Sequence, residues 1–195
     1  MADKARRPVV FLDRDGTLIH DRPGHYLRQP GKLKLYPCTA EALRLLRSAG
    51  YRLVVLSNQS GIGRGYLDHA VLRLIHARLR RELRARGARL DGIYFCPHGP
   101  DAGCPCRKPK PLLARRAMRE LGLTLRGGAV IGDKKADMDL ARGLGIPGLM
   151  VKTGHWRSQR ARYGGGLGAA VETGNVLTAA RWLLRRKGSS SRAST

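Results

Sequence analysis

Short apolar runs recur along the chain at intervals that leave room for a helix between them. Each run is too short to form a helix, and its continuous apolar character is typical of a strand buried on both faces. The strands predicted in this way are Val9–Leu12, Tyr51–Leu56, Gly92–Phe95, Ala129–Ile131 and Ile146–Val151.

The segments between the runs carry apolar residues at helical spacing. Thr39 is expected to cap a helix that ends at Gly50, and Leu67–Arg86 is expected to form a longer helix. A further helix is predicted over Pro111–Leu121, with Pro111 in its first turn, and a last one begins after a cap at Thr173. Strands that alternate with helices predict an α/β fold with a mostly parallel sheet flanked by helices.

The length of 195 residues suits one domain with a proper core. We place this domain at 8–186, with an N-terminal tail at 1–7 and a disordered, basic and serine-rich tail at 187–195. The glycine- and arginine-rich segment 153–168 is expected to be a mobile loop. No apolar run approaches a membrane span or a signal-peptide core, so we expect a cytoplasmic protein without a membrane partner, and a monomer.

Basic residues dominate the charge: 38 Lys and Arg stand against 14 Asp and Glu, for a formal net charge of +24. Such a charge alone would indicate a nucleic acid or another polyanion as partner. The arginines are spread along the predicted helices, however, without the interleaved aromatic residues of single-strand binders. We therefore expect solvated helix faces and no specific nucleic-acid partner, and keep a basic nucleic-acid-binding domain as an alternative.

Polar residues follow the predicted strands directly. Asp13 and Asp15 follow the first strand, and like charges so close need a cation or a shared proton, although a helix cap or an Asx turn explains this pair equally well. Ser57 begins a stretch rich in small and glycine residues, whose backbone N–H groups suit phosphate. Asp133 and Asp137 follow a later strand. Strand ends of a parallel sheet share one edge, so we expect these groups to meet.

All but one of the cysteines fall in the stretch 96–106, together with one histidine. Disulfides are rare in the cytoplasm, whereas three thiolates and an imidazole suit tetrahedral zinc with no open position. We predict a structural zinc in this loop, with a free-thiol loop as the alternative, and its ligands would be Cys96, His98, Cys104 and Cys106. Arg107 and Lys108 directly follow the last ligand, so a zinc ion would fix the direction from which two cationic side chains approach the predicted site.

Taken together, the polar strand ends resemble the motifs of the haloacid dehalogenase-type (HAD) phosphatases. The resemblance rests on Asp-x-Asp-Gly-Thr at 13–17, the serine at 57, the lysine at 108 and Gly-Asp-x-x-x-Asp at 132–137. It implies a Rossmann-like HAD fold, here without a large cap domain because the segment 19–37 is too short for one. It also implies an enzyme that hydrolyses a phosphate monoester through an aspartyl-phosphate, with Mg²⁺ as cofactor.

The resemblance also implies a role for each motif residue. Asp13 would attack phosphorus and Asp15 would protonate the leaving oxygen, while Ser57 and Lys108 hold the transferring phosphoryl group. Asp137 would orient the site, and the ligands of Mg²⁺ would be Asp13, Asp15 and Asp133. Further contacts to the substrate are expected from Asp21, Asn58, Gln59, Ser60, Arg107 and Lys134.

Within this superfamily the chain is similar to the D,D-heptose 1,7-bisphosphate 7-phosphatases over nearly its whole length. The segments that carry this similarity are 11–17, 58–62, 96–98, 106–109 and 132–134. It implies removal of the 7-phosphate from a small phosphorylated sugar, which leaves the anomeric phosphate, in the synthesis of ADP- or GDP-heptose for lipopolysaccharide core.

Histidinol-phosphate phosphatases share nearly every motif and remain the alternative enzyme. The stretch 59–65 and the tripeptide 132–134 favour heptose. Positive charge at Arg64, Arg107 and Lys134 also suits a second phosphate, from which an imidazole-bearing amine would gain little.

Overall fold

A computed structural model describes residues 7–21 and 24–192 of the chain. The predicted N-terminal tail lies outside this range except for Arg7, which already belongs to the first strand. The last three residues of the predicted C-terminal tail also lie outside it. The final helix runs to Arg192, so it extends into the segment that we expected to be a tail.

Six parallel strands form one sheet in the spatial order β3-β2-β1-β4-β5-β6. The strands are β1 Arg7–Leu12, β2 Arg52–Asn58, β3 Gly92–Cys96, β4 Leu123–Gly132, β5 Gly148–Val151 and β6 Val171–Thr173. Every pair in the sheet is parallel. All strands therefore end at the same edge, and the strand order reverses between β1 and β4, where open α/β sheets have their ligand crevice.

Helices connect the strands. They are α1 Thr39–Ser48, α2 Ser60–Gly63, α3 His69–Arg84, α4 Leu112–Leu121, α5 Lys135–Gly143, α6 Trp156–Tyr163 and α7 Val176–Arg192. A short 3₁₀ helix, Pro30–Lys32, is the only helix of the described residues between β1 and α1. Over residues 13–21 and 24–38 this connection forms no cap domain. The expected α/β fold with a parallel sheet flanked by helices is confirmed.

The core lies on both faces of the sheet because alternate residues of a strand point to opposite sides. Val10 and Leu12 of β1 belong to the cluster formed with α1, α3 and α7, while Val9 and Phe11 pack against α4 and α5. This double burial explains why the strands read as continuous apolar runs. The predicted stripe of α3 is buried throughout, at Leu72, Ile75, Leu79 and Leu83.

Two expectations for the C-terminal third were wrong. The segment expected to be a mobile loop contains α6, and β6 adds a strand after it. Thr173 lies in β6 and does not cap α7; the side chain of Asn175 accepts hydrogen bonds from the backbone N–H groups of Leu177 and Thr178 instead. The helix α6 has no buried residue, so it shows no apolar periodicity by which the sequence could have predicted it.

Two helix starts also differ in detail from the sequence expectation. Thr39 is the first residue of α1 and donates its hydroxyl hydrogen bond to the carbonyl of Leu18 at 2.8 Å, so it ties the helix to the loop after β1. Pro111 is the residue before α4. Among the described residues, none of the helices has the length and apolar composition that crossing a membrane requires.

Candidate active site

Side chains that follow different strands meet in a crevice at the carboxyl edge of the sheet, beside β1 and β4. Asp13 and Asp15 follow β1, Ser57 lies at the end of β2, and Asp133 follows β4. Lys108 reaches the same crevice from the loop between β3 and α4. Asp13, Ser57, Lys108 and Asp133 are all buried, so their charges and hydroxyl must find partners within the protein.

The ammonium group of Lys108 holds the centre of this crevice together. Its Nζ atom lies 2.8 Å from an oxygen of Asp13 and 2.7 Å from an oxygen of Asp137. It also donates to the carbonyl of Leu56 in β2 at 2.6 Å. Asn58 orients the backbone of Lys108, because its side-chain amide both accepts from the N–H and donates to the carbonyl of that residue.

These contacts decide the protonation state of Asp13. Burial alone would raise the pKa of its carboxyl, but the ammonium groups of Lys108 and Lys134 outweigh burial and hold this pKa well below its usual value. The pKa of Lys108 shifts the other way. Burial would lower it, and the carboxylates of Asp13 and Asp137 raise it above the ordinary value. Asp13 is therefore a carboxylate anion at neutral pH, as a nucleophile must be.

The ammonium group of Lys134 lies among oxygen atoms of several acidic residues. Its Nζ lies 3.4 Å from Asp13 Oδ2, 3.6 Å from Asp133 Oδ1 and 3.0 Å from the backbone carbonyl oxygen of Asp15. The carboxylates of Asp13, Asp133 and Asp137 also lie close enough together to hold a metal ion. Hard oxygens from carboxylates and a carbonyl are the donors that Mg²⁺ prefers, so this donor set fits the ion.

Asp133 lacks enough positive charge among the protein groups around it. Burial raises the pKa of its carboxyl to about 7; the nearby ammonium of Lys134 opposes the rise, and the carboxylates of Asp13 and Asp137 reinforce it. Its oxygens accept hydrogen bonds from the hydroxyl of Thr17 at 3.3 Å and from the backbone N–H of His155 at 2.7 Å. A further cation beside Asp133 would relieve the crowding of buried negative charge.

Asp15 points away from this group of acids. Its carboxylate accepts hydrogen bonds from Arg14, from Gln59 Nε2 at 2.7 Å and from the hydroxyl of Ser57 at 3.4 Å. Sequence reasoning placed Asp15 among the metal ligands. In the structure, the backbone carbonyl oxygen of Asp15 is the atom of this residue that faces that position. The carboxylate remains at the wall of the crevice, where it can exchange a proton with a bound molecule.

The crevice opens into a cavity of about 500 Å³. The residues expected to contact the substrate that line it are Asp21, Asn58, Gln59, Ser60, Arg107 and Lys134. Ser60 lies 3.4 Å from the hydroxyl of Tyr26. Arg64, whose charge we counted toward a second phosphate, is not among the residues that line this cavity.

One wall of the cavity comes from residues that sequence reasoning missed. His155 precedes α6 and its Nε2 lies 2.8 Å from a carboxylate oxygen of Asp21, while Gln159 and Tyr163 line the cavity from α6 itself. The position of this segment in the sequence could have indicated that it belongs to the site. Thr153, Gly154 and His155 follow β5 closely, at the same sheet edge as the other motifs.

The Cys/His cluster forms a compact set of soft ligands beside this cavity. The four side chains could hold a metal ion, since the sulfur atoms of Cys96 and Cys104 lie 3.5 Å apart and those of Cys104 and Cys106 3.6 Å apart. His98 Nδ1 lies 3.3 Å from the sulfur of Cys106. Two sulfurs on a tetrahedral zinc stand roughly 3.8 Å apart at the usual Zn–S length, so the cluster is close to that geometry.

Comparison with known proteins agrees with this picture. The HAD-hydrolase-like family model matches residues 105–175. The D-glycero-beta-D-manno-heptose-1,7-bisphosphate 7-phosphatase of Pseudomonas aeruginosa is 41% identical over 148 residues, which cover 76% of this chain and 83% of that protein. A probable D-glycero-D-manno-heptose-1,7-bisphosphate 7-phosphatase of Thermoplasma acidophilum is 39% identical and covered to 92% of its length.

Solved structures of similar proteins share the fold. The crystal structure of D,D-heptose 1,7-bisphosphate phosphatase from Bordetella bronchiseptica, complexed with magnesium and phosphate, superposes with a TM-score of 0.82. It is 34% identical and covers 92% of this chain and 99% of its own. The corresponding enzyme from Burkholderia thailandensis gives a TM-score of 0.69 at 28% identity, with 91% and 99% covered.

Gly16 packs so closely on Asp133 that any side chain there would displace the acid. Its φ is +88°, and a Cβ atom would collide with the Asp133 carboxylate. We expect Gly16→Ala to lower phosphatase turnover by about a hundredfold, because displacing a group of the site by an ångström costs that much. Gly65→Ala is the matched control, with φ +70° and no atom within 4 Å of its Cβ. Equal turnover in the two variants would contradict this account of Gly16.

His76 makes folding sensitive to acid. Burial, helped by the guanidinium of Arg14, lowers the pKa of its imidazole to about 3 from the ordinary value of 6.5. The unfolded chain therefore binds a proton below pH 6.5 that the folded protein refuses, and stability is lost as the pH falls from there toward 3.

Denaturant unfolding between pH 7 and pH 4 tests this directly. One such histidine contributes at most about 1.4 kcal/mol per pH unit to the slope of the unfolding free energy. His76→Gln removes the titrating group and keeps a hydrogen-bond acceptor, so its slope should be shallower by up to that amount. Parallel slopes for wild type and His76→Gln would show that His76 carries no acid sensitivity.

Proposed function

This chain belongs to the HAD-like family of D-glycero-D-manno-heptose-1,7-bisphosphate 7-phosphatases, and we propose that it removes the 7-phosphate of that sugar by way of an aspartyl-phosphate on Asp13. The product would be heptose 1-phosphate, in the route to nucleotide-activated heptose for lipopolysaccharide core. The observation that carries the mechanism is the pairing of Asp13 with the buried ammonium group of Lys108, 2.8 Å away. That pairing keeps a carboxylate ready as nucleophile in a crevice that opens to solvent.

In the first step an oxygen of Asp13 forms a bond to phosphorus while the bond from phosphorus to the sugar oxygen breaks. Lys108 and Ser57 lie where they can neutralise and hold the phosphoryl oxygens. The departing sugar oxygen takes a proton from Asp15. Mg²⁺, when bound by Asp13, Asp133 and the carbonyl of Asp15, would supply further positive charge to the phosphoryl group.

In the second step a water molecule attacks the phosphorus of the aspartyl-phosphate. Asp15, now unprotonated, accepts a proton from that water, so the same side chain serves first as acid and then as base. The bond between phosphorus and Asp13 breaks, and inorganic phosphate leaves with the carboxylate restored. Asp137 contacts Lys108 at 2.7 Å and would keep that ammonium in place through both steps.

A second phosphate on the substrate needs cations that the reaction centre does not already use. Lys108 and Lys134 are engaged with carboxylates, and Lys135 contacts Asp139 at 2.6 Å. Arg107 lines the cavity and, among the described residues, forms no ion pair; its guanidinium donates to the carbonyl oxygen of His98 at 3.3 Å. We therefore assign the anomeric phosphate to Arg107, whose guanidinium can form bidentate hydrogen bonds.

We infer that zinc occupies the Cys/His cluster and has a structural role. All four ligands would come from the protein, which leaves no open position for a water or a substrate. The loop that they tie together carries Arg107 and Lys108 immediately after Cys106. Zinc would thus set the distance between the anchor for the second phosphate and the reaction centre.

We infer, as the sequence analysis predicts, that the protein acts as a monomer. The cytoplasm remains the location predicted from the sequence. The relatives named above are heptose phosphatases, which does not favour histidinol phosphate as substrate or a nucleic-acid-binding role.

Phosphate release in the presence of Mg²⁺ tests the proposed substrate. Heptose 1,7-bisphosphate should be turned over faster than heptose 7-phosphate or histidinol phosphate, and Asp13→Asn should abolish release. Arg107→Ala should cost about ten- to a hundredfold in kcat/KM for the bisphosphate alone, the value of one or two charge-assisted hydrogen bonds. Arg64→Ala, outside the cavity, is the matched control. Preference for histidinol phosphate, or release by Asp13→Asn, would contradict the proposal.

The zinc proposal predicts that metal and stability are lost together. Cys104→Ser should purify without zinc and unfold at a lower temperature than wild type, because binding free energy of a structural metal is folding free energy. Cys38→Ser, which alters the cysteine outside the cluster, should keep both zinc and stability. Elemental analysis with thermal unfolding decides the matter, and a Cys104→Ser protein as stable and as zinc-rich as Cys38→Ser would refute it.

A further inference from the structure

Arg14 is a buried cation for which the reaction as proposed has no use. It stands between Asp13 and Asp15 in the chain, only 1% of it is exposed, and it is among the largest fully buried side chains of the protein. Burying a guanidinium is costly unless every N–H group finds a partner. The partners that Arg14 has found indicate what the group does.

The guanidinium is held by groups from three separate segments. Its Nε and Nη2 atoms donate to the carboxylate of Asp15 at 2.9 to 3.1 Å. Nη2 also donates to the side-chain oxygen of Gln59 at 2.9 Å, at the start of α2. Nη1 lies 3.0 Å from Nε2 of His76 in α3. Arginine only donates hydrogen bonds, so this imidazole nitrogen accepts and its proton lies on Nδ1.

Gln59 closes the arrangement into a ring. Its side-chain oxygen accepts from Arg14, while its nitrogen donates to Asp15 Oδ2 at 2.7 Å and to the hydroxyl of Ser57 at 2.6 Å. The orientation of Gln59 is thereby fixed at both ends of its amide. Asp15 is held on one side by Arg14 and on the other by Gln59, so its carboxylate has little freedom to rotate.

We propose that Arg14, braced by Gln59 and His76, is a positioning residue that holds the Asp15 carboxylate at the wall of the cavity for proton transfer to the leaving oxygen. This inference rests on the proposed function, in which Asp15 is the acid. Arg14 is among the residues that line the cavity, but in the part of the chain that the structure describes its side chain forms no hydrogen bond or ion pair with the nucleophile Asp13. His76 is not among the residues that line the cavity. The influence of His76 on the reaction would pass through Arg14 and Asp15.

Leaving groups of different basicity separate positioning of the acid from a merely structural role. A sugar alkoxide cannot leave without a proton, whereas nitrophenolate leaves readily without one. If Arg14 positions Asp15, its loss should slow the first step for a sugar phosphate and hardly affect p-nitrophenyl phosphate. The ratio kcat/KM is the measure to compare, because it reports only the steps up to departure of the leaving group.

The experiment compares wild type, Arg14→Met and Arg14→Lys on heptose 1,7-bisphosphate and on p-nitrophenyl phosphate. Arg14→Met should lose about a hundredfold in kcat/KM on the sugar phosphate, as expected for loss of a general acid, and less than about threefold on the aryl phosphate. Arg14→Lys keeps the positive charge but lacks the planar guanidinium that forms paired hydrogen bonds. Its kcat/KM on the sugar phosphate should lie between those of wild type and Arg14→Met. An equal loss on both substrates, or no loss on either, would overturn the proposal.

His76 provides a second test that does not alter the buried arginine. His76→Leu removes the acceptor of Arg14, and we expect kcat/KM on the sugar phosphate alone to fall about tenfold. His76→Gln restores an acceptor and should recover most of that loss. Identical values for the two variants on the sugar phosphate would refute the bracing role of His76, even if the Arg14 variants failed to fold.

Asp13→Asn, measured on both substrates, keeps this proposal separate from the proposed function. Without the nucleophile neither substrate should release phosphate. Release by Asp13→Asn would overturn the aspartyl-phosphate mechanism whatever the Arg14 variants do. A silent Asp13→Asn together with an unselective effect of Arg14→Met would overturn only the role of Arg14.

Discussion

The buried ammonium group of Lys108 is the contact on which the rest of the site depends. Three buried carboxylates cannot be crowded at the base of this crevice unless cations share it, because burial raises the pKa of each and favours the neutral acid. Lys108 contacts Asp13 and Asp137 at once and is itself anchored to the carbonyl of Leu56. The positive charge that keeps Asp13 ionised, and so able to act as a nucleophile, is therefore supplied by a residue from a distant part of the chain.

The architecture explains how such distant residues meet. Parallel strands deliver their carboxyl ends to one edge, and the reversal of strand order beside β1 opens the crevice there. Asp13, Ser57 and Asp133 need only follow their strands. Lys108 has no strand of its own, and it is positioned by the loop of the Cys/His cluster and by the amide of Asn58. A loop held by a metal ion would position Lys108, just as the strand ends position the acidic residues.

The fold was predictable because strands buried on both faces leave continuous apolar runs, and most of the motif residues follow those runs directly. The helix α6 has no buried residue and therefore left no such pattern in the sequence. For the same reason the sequence analysis missed three residues of the cavity wall, His155, Gln159 and Tyr163. The contacts that hold Asp15 could not be predicted from the sequence either. Arg14, Gln59 and His76 are far apart in the chain and meet only in the folded protein, and nothing in the sequence indicates that an arginine between two aspartates is buried.

The central claim is that Asp13 carries the phosphoryl group during turnover. The enzyme can be quenched while it hydrolyses heptose 1,7-bisphosphate and then treated with borohydride. Borohydride reduces an aspartyl-phosphate to homoserine, and peptide mass spectrometry identifies the position of that homoserine. Our account predicts homoserine at position 13. Homoserine at another aspartate, or an unmodified Asp13 while phosphate is still being released, would contradict it.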